Sequence, residues 1–204
     1  MTTNDLFLSN PDVQNVAHCL KDGGVVLIPT DTVLGLAAHP AHPDAVARVF
    51  ALKERPVEKK LPIMVSSVEA LEAIGALVTD KALALINSPF CPGPISIVLG
   101  LDPSRTPDWL SGREEMAFRM PNDPFLLKVL DAAGPLFVTS ANRSGMGTLP
   151  NVRAAVDQLA GQPDLAVEGE DCGAVPSTIV NCRLSPPVIE RLGAVSEAQL
   201  AEYL

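Results

Sequence analysis

Short apolar, β-branched runs alternate with helix-period segments along the whole sequence, and some runs are joined by connections too short to hold a helix. Strands interleaved with helices predict an α/β domain. A parallel pair needs a crossover of about a dozen residues, so the short connections predict antiparallel neighbours and a mixed sheet. Asn10-Pro11 reads as an N-cap followed by proline at the first helical position, with Val13, Val16, Ala17 and Leu20 on one face and a stop near Gly23-Gly24. Further helices are expected from Pro43 (Ala45, Val46, Val49 and Phe50 apolar), over 81–87, from Asp123-Pro124 to Leu130, and over 152–159. Ser196 and Gln199 have the spacing of a capping box for a last helix. Strands are expected over 25–28, 61–65, 95–99, 116–120, 136–139, 178–180 and 188–191. The 19 prolines are spread evenly and mark many turns rather than one linker, so residues 1–204 read as a single domain.

A chain of 204 residues buries about 70% of its unfolded surface, enough to fold without a disulfide or metal staple. Hydrophobic residues make up 47% and charged residues 19%, which excludes disorder as a whole-chain description. Lys and Arg total 15 against 24 Asp and Glu, a net charge of −9. That excludes a globally basic nucleic-acid binder, although not a local basic patch. No apolar run approaches the about 18 residues of a membrane span. The first ten residues lack the charged and apolar regions of a secretory signal. Cys19, Cys91, Cys172 and Cys182 form no CxxC and read as reduced thiols, so a cytoplasmic location is expected.

GxGxxG, GxxxxGK[ST] and GxSxG are all missing from the sequence. His39 and His42 lie on a proline-bounded loop with no third ligand nearby, so no metal site is expected. With so few histidines, chemistry has to run on positioning and electrostatics. Four segments offer groups for that. Thr30-Asp31-Thr32 follows a buried strand and precedes Gly35, whose missing side chain permits close backbone approach. Lys53-Glu54-Arg55-Pro56-Val57-Glu58-Lys59-Lys60 concentrates four cations in an otherwise acidic chain and suits a polyphosphate. Ser140-Ala141-Asn142-Arg143-Ser144-Gly145 places small polar groups at a strand end. Ser177-Thr178 and Arg191 flank the last two strands, and Arg119 sits at the end of another. Each composition also suits an ordinary turn, a helix cap or a structural ion pair.

Taken in order, PTDTV-GL, KxRP, PGP-S, RMP, SANxSG, STIV and ERLG resemble the YrdC-like family, which includes bacterial threonylcarbamoyl-AMP synthases. The resemblance runs from about Gly23 to Gly193, and Lys53/Arg55 with Ser140/Asn142 is its most specific part. It implies a twisted mixed sheet with flanking helices, a concave basic cleft, and the short single-domain form. It implies condensation of L-threonine, bicarbonate and ATP to threonylcarbamoyl-AMP and pyrophosphate, for modification of adenosine 37 in tRNA. Magnesium would accompany ATP, and tRNA and threonylcarbamoyl-transfer proteins would be downstream partners. Carried over by position, Lys53 and Arg55 would be catalytic. Lys53, Arg55, Lys59, Ser140, Asn142, Thr148 and Arg191 would bind ATP, and Thr32, Arg119 and Ser177 would bind threonine.

The sequence departs from the family pattern at a few places. Leu34 stands where PTDTVYGL has tyrosine, Ser96 replaces a frequent threonine, Glu115 stands where threonine is usual near the nucleotide, and Asn181 replaces the aspartate of STIVD. These departures leave two alternatives: a YciO-like paralogue with another substrate, or an RNA-binding protein of translation or ribosome maturation using the same cleft. Long-range repulsion by the net charge of −9 counts against the second.

Overall fold

The computed structural model describes residues 6–204. In chain order the strands are β1 (Phe7–Leu8), β2 (Val25–Ile28), β3 (Gly35–Ala38), β4 (Ile63–Met64), β5 (Ala76–Leu77), β6 (Ile95–Leu101), β7 (Glu115–Arg119), β8 (Leu136–Ser140), β9 (Leu165–Val167), β10 (Thr178–Asn181) and β11 (Val188–Arg191). The helices are α1 (Val13–Lys21), α2 (Pro43–Lys53), α3 (Val68–Ala73), α4 (Asp80–Ile86), α5 (Pro124–Ala133), α6 (Val152–Gln158) and α7 (Glu197–Leu200). All the strands join one sheet in the order β1-β9-β2-β3-β8-β4-β7-β6-β10-β11, with β5 paired to β6. The expected mixture is present: β4–β7 and β6–β10 are parallel, while β2–β3, β3–β8 and β6–β7 are antiparallel.

The sheet separates two apolar layers. Leu20 of α1, Leu126 and Val129 of α5, and Val26 and Ile28 of β2 form one. Val25 and Leu27, on the opposite side of the same strand, join Val49 of α2, Val156 of α6 and Phe118 of β7 in the other. Alternation along a strand makes this division. On β6, Ile95, Ile97 and Leu99 enter the core, so Ser96 and Val98 face the other way. Together with Glu115, Ala117 and Arg119 of β7 and with Ser177 and Ile179, they form the floor of a cavity.

Several expected boundaries move. Helix α1 starts at Val13 with Asp12 as its cap, because the Asp12 carboxylate accepts the Gln14 N–H at 3.2 Å; Pro11 lies outside the helix. The expected strand 61–65 shrinks to Ile63–Met64, since Pro62 has no N–H to give a ladder. The short elements β1, α3, β5 and β9 were not anticipated, nor was β3, whose Gly-Leu-Ala-Ala carries no β-branched residue. The Asp123 cap of α5 and the Ser196/Gln199 capping box of α7 are both formed.

Gly193 shows how closely the strands that carry the site approach one another. A Cβ there would overlap the carbonyl oxygens of Pro176 and Ser177. Its N–H donates to Thr178 Oγ1 at 2.9 Å, and that hydroxyl donates to Val195 O at 2.6 Å. Gly193→Ala is therefore expected to destabilise the fold by roughly 1–3 kcal/mol, read as a lower denaturant midpoint with an unchanged slope.

Candidate active site

The cavity holds about 300 Å³ and is bordered by β3, β4, β6, β7, β8 and the start of β10. At one end lies Arg119, 5% exposed. Its Nε donates to Gly93 O at 2.9 Å, its Nη1 to Thr32 Oγ1 at 2.7 Å and its Nη2 to Asp31 Oδ1 at 2.6 Å. A guanidinium has five N–H groups, so donors remain for a ligand. The turn beneath it is self-bonded. Thr30 Oγ1 donates to Val33 O at 2.7 Å and accepts the Thr32 N–H at 3.1 Å. With the Thr30 proton so engaged, the Thr32 hydroxyl must be the donor in the 3.1 Å contact between the two threonines. Having given its proton and accepted Arg119, Thr32 offers a ligand only a lone pair. Gly35 is necessary here, since a Cβ would meet Val138 Cγ1 at 2.8 Å. Ser177 and Ser96 share a hydrogen bond at 2.8 Å, and Arg191 Nη2 donates to Ser177 O at 2.7 Å.

The opposite end is set by the N-terminal ends of the parallel strands β4 and β7. Arg55 donates to Lys59 O and Lys60 O at 3.0 and 3.1 Å. Arg113 donates to Leu61 O at 3.3 Å and stacks 5.0 Å over the Phe137 ring. Arg55, Lys60 and Arg113 all line the cavity. Glu115 and Arg119, the two ends of β7, are four residue steps apart, which places them about 13 Å from each other. Glu115 lines the cavity too, with its carboxylate held by Arg183.

Of the expected site residues, Thr32, Arg55, Arg119, Ser140, Ser177 and Arg191 line the cavity. Lys53, Lys59, Asn142 and Thr148 do not. Lys59 is exposed, and Thr148 Oγ1 donates to Ala174 O at 3.2 Å. Lys53, expected to face phosphates, is 2% exposed and turned the other way. Its ammonium donates to Ser140 O and, at 2.6 Å, to Asn142 O, while Ser144 N–H donates back to Lys53 O at 2.7 Å. It clamps the 140–144 loop. The α2 terminus makes this reach possible, because Glu54 takes a left-handed conformation at φ 47° and ends the helix there. Asn142 Nδ2 donates to Arg143 O and Met146 O, and its buried Oδ1 has no partner among the described residues. Asp31, Lys60 and Arg113 were not assigned site roles from sequence. Lys60 lay in the basic segment, whereas nothing in the sequence around Arg113 marked it.

The departures from the family pattern also have places. Leu34 is 1% exposed and packs in the core. Asn181 Nδ2 donates to Glu190 Oε1 at 2.7 Å. Neither His39 nor His42 joins a cluster, and among the described residues no group of three His, Cys, Asp or Glu is placed to hold a metal.

Removing Asp31 would leave the Arg119 charge buried and unpaired. Asp31→Ala should cost roughly 3–5 kcal/mol of stability in chemical denaturation, and Asp31→Asn, which keeps an acceptor, distinctly less. Burial, then the nearby Arg55 charge, pushes Lys53 down to about 8 from an ordinary 10.5. Between those values the unfolded chain holds a proton that the fold has released, so stability rises with pH in that window. The stability difference between wild type and Lys53→Met should therefore shift in favour of wild type by roughly 1 kcal/mol per pH unit above pH 8.

The Sua5/YciO/YrdC family model, described as "Telomere recombination", matches residues 18–193. The threonylcarbamoyl-AMP synthase of Bacillus subtilis (strain 168) is 30% identical over 97% of this chain and 58% of that protein. The threonylcarbamoyl-AMP synthase of Vibrio parahaemolyticus is 31% identical over 84% of this chain and 95% of that protein. The crystal structure of Pyrococcus abyssi Sua5 complexed with L-threonine superposes with a TM-score of 0.85 at 27% identity, over 98% of this chain and 60% of that one. The chain thus spans somewhat over half the length of the Bacillus and Pyrococcus proteins and nearly all of the Vibrio one. A family model that matches residues 18–193, with relatives 30–31% identical over most of the chain, places this chain in the Sua5/YciO/YrdC family.

Proposed function

We propose that the chain is an L-threonylcarbamoyladenylate synthase, a nucleotidyltransferase that joins L-threonine, bicarbonate and ATP and releases pyrophosphate. The observation that carries this reading is the two-ended cavity. At one end Arg119 and Arg191 stand against Asp31, a balance suited to a single carboxylate. At the other, Arg55, Lys60 and Arg113 add three cations, while of the two further lining carboxylates Glu115 is offset by Arg183 and Glu190 is held by the Asn181 amide. An amino acid and a polyphosphate meet those two requirements at once.

The chemistry follows from the placement. The amine of threonine takes up carbon dioxide to give a carbamate, whose oxygen attacks the α-phosphate of ATP as pyrophosphate departs. The free Arg119 donors would take the threonine carboxylate, and the Thr32 lone pair would accept an N–H from its amine side. Arg55, Lys60 and Arg113 would neutralise charge on the leaving pyrophosphate. The step needs no protein nucleophile. Asn142, expected at the nucleotide, lies on the loop that Lys53 holds still, with its Oδ1 buried and unpartnered among the described residues. Magnesium would travel with ATP, and the product would go on to tRNA.

Purified protein with ATP, magnesium, bicarbonate and L-threonine should yield pyrophosphate and a threonylcarbamoyl-AMP mass peak, and omitting threonine or bicarbonate should abolish both. Arg119→Lys should raise the threonine KM by about 10–100-fold, whereas Arg55→Ala should act chiefly on the ATP KM, as expected from losing charge-assisted hydrogen bonds. ATP binding without product under these conditions would overturn the reading.

A further inference from the structure

One ion pair at the edge of the cavity floor has no part in the chemistry above. Glu115 opens β7, and its register partner across β6 is Gly100. On the far side of β6, Arg183 follows β10, and its backbone N–H is fixed by Asn181 Oδ1 at 3.0 Å. The Arg183 side chain lies across Gly100; a Cβ there would sit 4.0 Å from Arg183 Nε. Its Nη1 then meets the Glu115 carboxylate, and Nη2 lies 3.8 Å from Glu114. Both partners stay partly in solvent, with side chains 36% and 37% exposed. Such a pair contributes little to folding, yet it stands at the end of the floor that carries Arg55, Lys60 and Arg113.

Three cations line the cavity at this end, and Arg183 stands just beyond it with its charge offset by Glu115. We propose that the Glu115–Arg183 pair sets how tightly this end of the cavity retains a polyphosphate. Glu115 keeps Arg183 neutralised, lowers the net charge that pyrophosphate meets, and so speeds departure of the leaving group. This rests on the proposed function, since it requires a polyphosphate at the Arg55 end. Glu115 and Arg183 are thus release-determining residues that act on the field and not on the reacting atoms.

The test is calorimetric titration of inorganic pyrophosphate, with and without magnesium, into wild type, Glu115→Gln, Arg183→Gln and the double variant, with L-threonine titrated separately. Glu115→Gln leaves Arg183 only the exposed Glu114 at 3.8 Å, raises the charge at this end by one, and should tighten pyrophosphate binding by about fivefold. Arg183→Gln leaves Glu115 uncompensated and should weaken it by a similar factor. The double variant, neutral again, should return to within about twofold of wild type. Threonine affinity should stay constant throughout, a result that a general loss of structure would not give. Single variants indistinguishable from wild type would overturn the proposal while leaving the function intact. Weaker binding in Glu115→Gln with magnesium, as expected if the carboxylate held the metal, would also overturn it. Wild type that binds neither pyrophosphate nor threonine would overturn both this proposal and the function beneath it.

Discussion

An ammonium buried at the end of α2 joins two regions of the chain that the sheet alone would leave independent. Lys53 donates to the carbonyls of Ser140 and Asn142 and receives Ser144 on its own carbonyl. Glu54 pairs with Arg143 beside it. The loop after β8 is therefore held by hydrogen bonds to a charged group, which are among the stronger ones a fold makes. Desolvation makes the charge costly, and Lys53 lies far below the usual lysine range in consequence. That cost is offset in part because the ammonium donates to two carbonyls, of which Ser140 O also accepts the Asn142 N–H at 3.0 Å. Arg55, two residues on, inherits its position from the same helix end and turns into the cavity.

Sheet register does for the floor what Lys53 does for the rim. Antiparallel pairing of β6 with β7 and parallel pairing of β6 with β10 set Ser96, Arg119 and Ser177 on one face. The opposite face is filled by Ile95, Ile97, Leu99 and Phe118. A slip of one residue would exchange the two sets, burying Arg119 in apolar contact and exposing the core. The site and the core are thus two readings of one alternation. Gly35 and Gly193 belong to the same constraint, because neither position has room for a side chain where adjacent segments meet.

Much of this was legible beforehand. Residues 95–99 and 136–139 have enough apolar, β-branched residues to be read as strands directly, although the strands run on to Leu101 and Ser140, and proline with aspartate marked the start of α5. The motif order identified the family and pointed to Arg55, Arg119, Ser140, Ser177 and Arg191, all of which line the cavity. Other elements gave no local signal. β3 is Gly-Leu-Ala-Ala and becomes a strand only because β2 and β8 flank it. Arg113 has no periodic or motif context; its place depends on Leu61 O and the Phe137 ring, contributed by β4 and β8 neighbours.

The sequence by itself determined the fold class, the family and the chemical inventory of the site, because strand alternation, capping residues and motif order are local properties of the chain. It could not determine the direction of individual charges. Lys53 and Arg55 stand two residues apart, yet one ends on backbone carbonyls and the other on the cavity. Asp31 is matched with Arg119, and Glu115 with Arg183, across 88 and 68 residues of sequence. Which charge is neutralised, and which stays free for a ligand, depends on distances between strands that only the closed sheet establishes. Tertiary structure alone therefore decided that a chain with a net charge of −9 presents cations at both ends of its cavity.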